Sequence, residues 1–349
     1  MTVPIRVLVV DDSAFMRHAI SQILESDANI EVVGTARDGL QALEMIENLH
    51  PDVATLDVEM PRLGGLETLQ RIMERCPLPV VMVSSSTKEG SSITLSALAM
   101  GAVDFVAKPS GPASPNIRQV TNELITKVKA AAGARVRGRR QELVRSASRP
   151  VTAAPAAERT PKIVIIGSST GGPRALYELV PALPRDLDAA LLIVQHMPPG
   201  FTGPFAERLN EMSSLTIKEA GGGERLEAGL GLLAPGGRHL VVTADGVTRI
   251  SDGPPVHGVR PSVDVTMGSL AEKQGRNCLG VILTGMGSDG TLGCKWIKSL
   301  GGKVIAEDES TCVVFGMPRS VIEAGVVDRV VPLHEMAAAI VEMLPEVGQ

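Results

Sequence analysis

Aromatic side chains are scarce in this 349-residue sequence, which contains one Trp, one Tyr and five Phe, or 2% of the chain. The hydrophobic cores must therefore be built from Val, Ile, Leu, Met and Ala, which supply most of the 44% hydrophobic residues. An excess of positive charge is absent too, since the formal net charge is −5. Nucleic-acid binders usually need a basic face, so we expect no nucleic-acid partner.

Disulfide patterns, long apolar runs and a signal peptide are also missing. The four cysteines are scattered without a C-x-x-C pair, which favours free thiols over disulfides or a zinc site. No apolar run has the length of a membrane span, and the N-terminus lacks a signal-peptide pattern. We therefore expect a cytoplasmic protein. Because 349 residues are long for one core, we expect two domains.

The first 128 residues alternate strand-like and helical patterns. The strand-like runs are Val-rich and mostly apolar on both faces: IRVLVV, IEVVGTA, DVATLD, LPVVMVSS and AVDFVAK. Amphipathic stretches such as AFMRHAISQILE and LQALEMIENL separate them. The pattern predicts a small doubly wound α/β domain over residues 1–128, with a five-stranded parallel sheet.

The composition changes after residue 128. Residues 129–160 are rich in Ala, Arg, Ser and Pro and have almost no large apolar side chains, which predicts a flexible linker. A basic patch for nucleic acid or acidic lipid is the alternative, which the lack of interleaved aromatics disfavours. Over residues 161–349, which end in a short polar tail, strand-like runs resume: KIVIIG, ALLIVQH, LGLLAP, HLVVTA, VTRI, CLGVILTG and KVIAE. Helical patterns such as SVDVTMGSLAEK separate several of them. The Asp-Gly in HLVVTADGVTRI predicts a hairpin. We therefore predict a second α/β domain, doubly wound, with a mainly parallel sheet and a β-hairpin.

Polar residues stand at the carboxyl ends of the predicted strands in the first domain, where sites form in doubly wound sheets. Asp11 and Asp12 follow the first strand, and Asp57 ends the third. Ser84 ends the fourth strand, and Lys108 follows the fifth. Three converging carboxylates repel each other, so the arrangement predicts a bound hard cation and favours Mg²⁺. Capping of the following helices is the alternative role for these carboxylates.

This set of residues resembles the receiver domain of two-component response regulators, and the resemblance covers the whole first domain. It implies a flavodoxin-like fold in which Asp57 accepts a phosphoryl group from a histidine kinase. It also implies a Mg²⁺ site made by Asp12, Asp57 and the backbone carbonyl of Glu59, with Asp11 nearby.

The resemblance gives roles to three further residues. Ser84 and Lys108 would contact the phosphoryl oxygens, and Phe105 stands where the family keeps an aromatic switch residue. Positive charge from Mg²⁺ and Lys108 would neutralise the transferring group. The new phosphate would then pull Ser84 inward and change the face formed by the fourth helix and fifth strand.

The segment IVIIGSSTGG leads from an apolar run into a Gly/Ser turn, which is typical of phosphate-binding loops and of serine hydrolases. A P-loop would need a Lys-Ser/Thr pair where Pro173 and Arg174 stand. A dinucleotide-binding loop would need Gly in place of Ser169. The residues from Gly167 to Gly171 fit the pattern G-x-S-x-G, with Ser169 as the candidate nucleophile.

Two other strand ends offer partners for Ser169. His196 ends the run ALLIVQH, and Asp289 lies in the Gly-rich turn of VILTGMGSDG. If the strands are neighbours, all three side chains meet at one edge of a parallel sheet. The alternatives are that His196 is a polar residue leaving the core and that Asp289 caps the next helix. The chain order Ser–His–Asp is no objection, because a triad is defined by geometry and role.

Six motifs of the second half together resemble the catalytic domain of the CheB family of chemotaxis protein-glutamate methylesterases: GSSTGG, QHMPPGFT, FAERLN, DGPPVHGVRPSVDV, LTGMGSDG and CVVFGMP. The match spans about residues 162–344, and the order receiver–linker–esterase is that of the family. The resemblance implies a catalytic triad of Ser169, His196 and Asp289. Ser168 stands where the family commonly has Ala, but pattern and register favour Ser169 as the nucleophile.

The implied reaction is acyl transfer from a methylated glutamate, and the same apparatus can deamidate glutamine. Backbone amides at the Ser169 turn and at Met286 would hold the oxyanion, and no metal or other cofactor is expected in this half. The implied substrates are methyl-accepting chemotaxis receptors, and receptor binding is the expected contact with membranes. We expect a monomer whose unphosphorylated receiver blocks the catalytic cleft. A non-catalytic receptor-binding regulator, a DNA-binding regulator and a nucleotide-binding output domain are the rival hypotheses.

Overall fold

The computed structural model describes residues 3–84, 88–108, 117–134 and 161–348. The chain divides into two compact units, Met1–Arg139 and Arg140–Gln349. Residues 135–160, most of the predicted linker, lie outside the described residues, whereas residues 129–132 belong to the last helix of the first unit. None of the described helices is long and apolar enough to cross a membrane.

In the first unit, five strands form one sheet with the order β2-β1-β3-β4-β5, and all neighbouring strands are parallel. The strands β3 and β4 are buried along their whole length, as expected when helices cover both faces of a sheet. The predicted α/β architecture is therefore confirmed. The elements are β1 (Ile5–Val10), α1 (Ala14–Glu25), β2 (Ile30–Ala36), α2 (Gly39–Leu49), β3 (Val53–Asp57), α3 (Gly65–Arg75), β4 (Val80–Ser84), α4 (Lys88–Met100), β5 (Asp104–Ala107) and α5 (Ile117–Ala132).

The second unit is built on a parallel seven-stranded sheet with the order β14-β13-β12-β6-β7-β9-β8. Its elements are β6 (Ile163–Ser168), α6 (Gly172–Ala182), β7 (Ala190–Gln195), α7 (Thr202–Met212), β8 (Thr216–Glu219), β9 (Leu230–Leu233), β10 (His239–Val242), β11 (Thr248–Ser251), α8 (Val263–Gly268), α9 (Glu272–Arg276), β12 (Cys278–Ile282), α10 (Thr291–Ser299), β13 (Lys303–Glu307), α11 (Met317–Glu323), β14 (Arg329–Val331) and α12 (Leu333–Met343). The predicted hairpin is β10–β11, which forms a separate antiparallel two-stranded sheet.

The sequence patterns missed three details of the second unit. The strands β8 and β14 lie at the two edges of the sheet and are mostly exposed, so neither has an apolar run to reveal it. The segment SVDVTMGSLAEK, predicted as one helical stretch, forms the two short helices α8 and α9. The break follows Gly268, where the Ser269 hydroxyl accepts from Val242 N at 2.9 Å and donates to Thr266 O at 2.7 Å. These bonds stabilise a turn and fix the helix end to the hairpin.

The centre of the second sheet determines where a site can form. The strand β6 lies between β7 and β12, and all three are buried at every residue. Because the strands are parallel, the segments that follow them emerge at the same edge of the sheet. In doubly wound sheets this carboxyl edge is where ligands bind.

Glu307 is a buried carboxyl group at the end of β13, and it is 0% exposed. Its Oε2 accepts a hydrogen bond from Thr284 N at 2.7 Å, and its Oε1 accepts one from Thr311 Oγ1 at 3.0 Å. Burial raises the pKa of Glu307 to about 7, and these hydrogen bonds only partly oppose the effect.

Replacement of Glu307 by Gln should change the pH dependence of stability. The folded chain holds the Glu307 proton more tightly than the unfolded chain, whose pKa is near the ordinary 4.5. The stabilisation that the protonated Glu307 carboxyl gives to the folded chain is fully present below about pH 4.5. As pH rises through about 7, the wild type should lose this stabilisation relative to Glu307→Gln. Thermal unfolding across this range measures the difference, with exposed Glu309→Gln as control. Parallel curves for wild type and Glu307→Gln would contradict the prediction.

Candidate functional site

The first unit gathers three carboxylates and one ammonium group at the carboxyl edge of its sheet. Asp11 and Asp57 are buried, and Asp12 is exposed. One oxygen from each aspartate lies within 4.8 Å of the others. Lys108 Nζ lies 3.0 Å from Asp11 Oδ2 and 2.7 Å from Asp57 Oδ2. The ammonium group therefore offsets part of the negative charge.

The carboxylates fit a divalent cation. Asp11 Oδ2 and Asp57 Oδ2 are buried, and among the described residues only the ammonium group of Lys108 lies within hydrogen-bonding distance of them. Burial raises the pKa of Asp57 to about 6, and the hydrogen bond and charge of Lys108 lower it only in part. A hard cation bound by these oxygens would favour the ionised carboxylates, and carboxylate oxygens are the ligands that Mg²⁺ prefers.

Ser84, Glu59 and Lys108 lie at or just after the ends of β4, β3 and β5, on the same edge of the sheet as this cluster. Ser84 is buried at the end of β4, and its Oγ donates to Gly90 O at 3.2 Å. Lys108 N donates to Ser84 O at 2.7 Å, which joins the segments after β4 and β5. Glu59 N donates to Asp57 Oδ1 at 3.4 Å, so the turn after β3 bends back over the aspartate.

Phe105 is buried in β5, with 2% of its surface exposed. Lys127 Nζ, which the sequence patterns did not single out, lies 5.1 Å from the centre of the Phe105 ring and donates to Phe105 O at 2.6 Å. Burial alone would lower the pKa of Lys127, but nearby Asp104 and Glu123 raise it above its ordinary value. The charged lysine thus fixes α5 to β5.

In the second unit, two adjacent serines at the end of β6 have different environments. Ser168 is 0% exposed, and its Oγ donates to Gln195 Oε1 at 2.7 Å. Ser169 is half-buried, and its backbone N donates to Thr284 O at 3.1 Å. Among the described residues Ser169 Oγ has no hydrogen-bond partner. The Ser169 hydroxyl is therefore the accessible one.

His196 follows β7 directly beside this turn. Ser168 pairs in register with Gln195, and His196 N donates to Ser168 O at 3.1 Å. The residues that follow each strand, Ser169 and His196, are therefore neighbours at the sheet edge. Within the described residues no hydrogen bond joins Ser169 Oγ to the imidazole. Catalytic hydrogen bonds are often long until substrate binds.

Asp289 orients the imidazole. His196 Nε2 lies 2.7 Å from Asp289 Oδ2, and Asp289 is 2% exposed. The carboxylate also accepts from Ser262 Oγ at 2.8 Å, Val263 N at 2.7 Å and Asp264 N at 3.0 Å. Burial alone would raise the pKa of Asp289, but His196 and these backbone amides lower it below its ordinary value.

The pairing determines the role of each imidazole nitrogen. An ionised carboxylate has no proton to donate, so His196 Nε2–H must be the donor. In the neutral ring Nδ1 then carries no hydrogen and is free to accept one. Nδ1 is therefore the nitrogen available to Ser169 Oγ.

Free backbone amides lie beside the candidate nucleophile. A Cβ placed on Gly285 would lie 2.9 Å from Ser169 Cβ, so glycine lets the loop after β12 approach the serine. Gly285 is held by its N–H to Val314 O at 3.0 Å. Within the described part of the chain, Met286 N and Thr170 N donate no hydrogen bond. Both amides are thus available to a developing oxyanion.

The sequence patterns missed two residues that hold this site together. Gln195 contacts both serine residues and the His196 backbone, but a lone Gln in an apolar run gives no signal of chemistry. Ser262 caps α8 and bonds Asp289 Oδ1. The motif RPSVDV contains that cap, and a Ser before a helical pattern is a recognisable start signal.

Comparison with known proteins identifies the family of the chain. The sequence model of the CheB methylesterase family matches residues 164–340, and that of the response regulator receiver domain matches residues 7–119. A curated relative from Symbiobacterium thermophilum, named protein-glutamate methylesterase/protein-glutamine glutaminase, is 53% identical, and the alignment covers 98% of each chain. A relative of the same name from Geobacillus kaustophilus is 52% identical over 98% of this chain and 99% of that one.

A solved structure is similar to the second unit. The crystal structure of the Thermotoga maritima CheB methylesterase catalytic domain superposes with a TM-score of 0.51 at 47% identity. The superposition covers 53% of this chain and 100% of that chain. Together these matches establish that the chain belongs to the CheB methylesterase family and carries a response regulator receiver domain before its catalytic domain.

Proposed function

We propose that this chain is a serine hydrolase that removes methyl esters from glutamates, and deamidates glutamines, on methyl-accepting chemotaxis receptors. Phosphorylation of Asp57 by a histidine kinase increases its activity. The 2.7 Å pair of His196 and Asp289, next to the accessible hydroxyl of Ser169, carries the catalytic half of the proposal. The names of the relatives support the substrate chemistry. We expect a cytoplasmic enzyme that works as a monomer.

Ser169 Oγ attacks the carbonyl carbon of the glutamate methyl ester while His196 Nδ1 accepts the hydroxyl proton. Asp289 stabilises the imidazolium through Nε2–H. The carbonyl oxygen becomes an oxyanion, which the N–H groups of Met286 and Thr170 can bind. Each such donor is typically worth about 3 kcal/mol of transition-state stabilisation.

The tetrahedral intermediate breaks the bond to the methoxy group, and His196 gives its proton to the departing methanol. Water then attacks the acyl-enzyme, again with His196 Nδ1 as base, and glutamate and Ser169 are released. With a glutamine substrate the same proton goes to ammonia. Side chains and backbone amides provide the nucleophile, the base and the oxyanion donors of this reaction, so we expect the esterase to need no cofactor.

In the first unit, Asp57 is the proposed phosphoryl acceptor. A carboxylate oxygen of Asp57 attacks the phosphorus of a phosphohistidine, and the nitrogen–phosphorus bond breaks. Asp11, Asp12 and Asp57, with the backbone carbonyl of Glu59, would hold Mg²⁺, which supplies positive charge to the transferring group. Lys108 adds a further positive charge, and Ser84 would contact the phosphoryl oxygens.

Ser169→Ala should reduce methanol release from methylated receptor by at least about 10³-fold, because the nucleophile is lost. Ser168→Ala is the matched control. It removes one buried hydrogen bond, worth about 1 kcal/mol of folding stability, but keeps the nucleophile, so methanol release should stay within a few-fold of the wild type. Covalent labelling by a fluorophosphonate should require Ser169 and not Ser168. Turnover by Ser169→Ala at the wild-type rate would favour a non-catalytic receptor-binding regulator instead.

Asp57→Asn should abolish stimulation by a small-molecule phosphodonor. Methanol release by the wild-type chain should increase with phosphodonor and Mg²⁺, whereas Asp57→Asn should keep its basal rate in both conditions. Asp52→Asn changes an exposed carboxylate at the other end of the same strand and should respond like the wild type. A phosphodonor response in Asp57→Asn would contradict Asp57 as the acceptor.

A further inference from the structure

We propose that Gln195 is a positioning residue for catalysis, because its amide ties the turn that bears Ser169 to the strand end that bears His196. The inference rests on the proposed roles of Ser169 and His196, and goes beyond them to the side chain that fixes their relative position. The hydrogen bonds of the Gln195 amide go to Ser168 Oγ and to the carbonyls of Ser169 and His196, not to Ser169 Oγ or the imidazole. Its effect is transmitted through the backbone.

The buried side-chain amide of Gln195 accepts one hydrogen bond and donates two. The residue is 2% exposed, and Oε1 accepts from Ser168 Oγ at 2.7 Å. Nε2 donates to Ser169 O at 3.0 Å and to His196 O at 3.0 Å. Both amide hydrogens therefore have carbonyl acceptors, one on each side of the candidate site. If the amide were turned by 180°, Oε1 would face two carbonyl oxygens, which cannot donate a hydrogen bond. The network therefore permits only one orientation of the amide.

The hydrogen bonds of Gln195 connect the two segments just beyond the point where the pairing of β6 and β7 ends. The parallel register of β6 and β7 ends at Ser168 and Gln195, followed by the bond from His196 N to Ser168 O at 3.1 Å. The Gln195 side chain extends the connection to Ser169 O. Without it, the bond from His196 N to Ser168 O would be the one hydrogen bond left between the two segments beyond the strand pairing in the described residues, and the nucleophile and the base would be held less firmly.

Gly172 makes room for the amide. A Cβ at position 172 would lie 2.0 Å from Gln195 Oε1 and 2.8 Å from Ser168 Cβ. Any larger side chain at the start of α6 would displace the network. The last glycine of GSSTGG thus has a packing reason, independent of phosphate binding.

The expected signature is a loss of kcat with an unchanged KM. Small displacements of reacting groups can reduce the rate about 10²-fold. Substrate affinity depends on other contacts. A residue with only a structural role would lower thermal stability without this separation of kcat from KM.

Gln274 is a matched control. It is 3% exposed, its Oε1 accepts from Ala271 N at 2.8 Å, and its Nε2 donates to Thr243 O at 2.8 Å and Ala244 O at 3.2 Å. It therefore has the same burial and the same number of hydrogen bonds. It lies in α9, which precedes β12, and hence at the edge of the sheet opposite the candidate site.

The experiment compares wild type, Gln195→Met, Gln195→Glu, Gln274→Met and Ser169→Ala by methanol release from methylated receptor, with thermal unfolding measured in parallel. We expect Gln195→Met to lower kcat by about 10- to 100-fold at constant KM. Gln195→Glu keeps the shape and the Oε1 acceptor but has no amide hydrogens, so kcat should fall similarly. Gln274→Met should keep the wild-type kcat despite a comparable loss of thermal stability.

Wild-type kcat in a folded Gln195→Met or Gln195→Glu chain would overturn the inference, as would equal loss of kcat in Gln274→Met. An increase in KM alone would also overturn it. If the wild-type chain released no more methanol than Ser169→Ala, the proposed function would fail, and this inference with it. The two failures are thus distinguishable.

Discussion

The second unit depends on one buried carboxylate, Asp289. Removing a charged group from water costs several kcal/mol unless hydrogen bonds replace the lost solvent. Here the backbone amides of Val263 and Asp264, the hydroxyl of Ser262 and the imidazole of His196 replace it. These donors keep the group ionised, and they fix the loop after β12, the start of α8 and the end of β7 around one point. A site for acyl transfer needs this kind of preorganisation, because reorganising dipoles during the reaction would cost rate.

Parallel sheet topology explains how residues far apart in sequence meet. His196 and Asp289 are separated by 93 positions, yet they lie in contact because β7 and β12 flank β6. The first unit applies the same rule, since Asp57 ends β3, Lys108 follows β5, and their side chains are 2.7 Å apart. In both units the strands supply rigid backbone, and the side chains that carry charge stand just beyond it. The two chemistries differ because one edge concentrates carboxylates and the other joins a hydroxyl, an imidazole and a single carboxylate.

The sequence predicted those features whose physical cause is local. The apolar runs located every buried central strand, since a strand covered on both faces must be apolar throughout. The strands β8 and β14 escaped notice because an exposed edge strand has no such requirement. At the break between α8 and α9, Val242 N donates to the hydroxyl of Ser269. These residues are far apart in the sequence, so the hydrophobic periodicity of the helical segment could not reveal the contact.

In the candidate site, too, the sequence predicted some residues and missed others. Ser169, His196 and Asp289 were identified from strand ends and from the motifs around them. Gln195 and Ser262 were not, because their importance depends on which backbone groups the fold brings to them. Residues that perform chemistry have recognisable types, whereas residues that hold them in position can be of almost any polar type.

The most direct test of the central claim is the tautomer of His196 in the full-length chain, measured by nitrogen NMR of the imidazole. With six histidines in the sequence, a His196→Gln variant assigns the signal. Neutral His196 should carry its hydrogen on Nε2, facing Asp289, with Nδ1 unprotonated and ready to accept the Ser169 proton. A neutral ring with its hydrogen on Nδ1 would mean that Asp289 does not orient the base, and the proposed catalytic arrangement would be wrong.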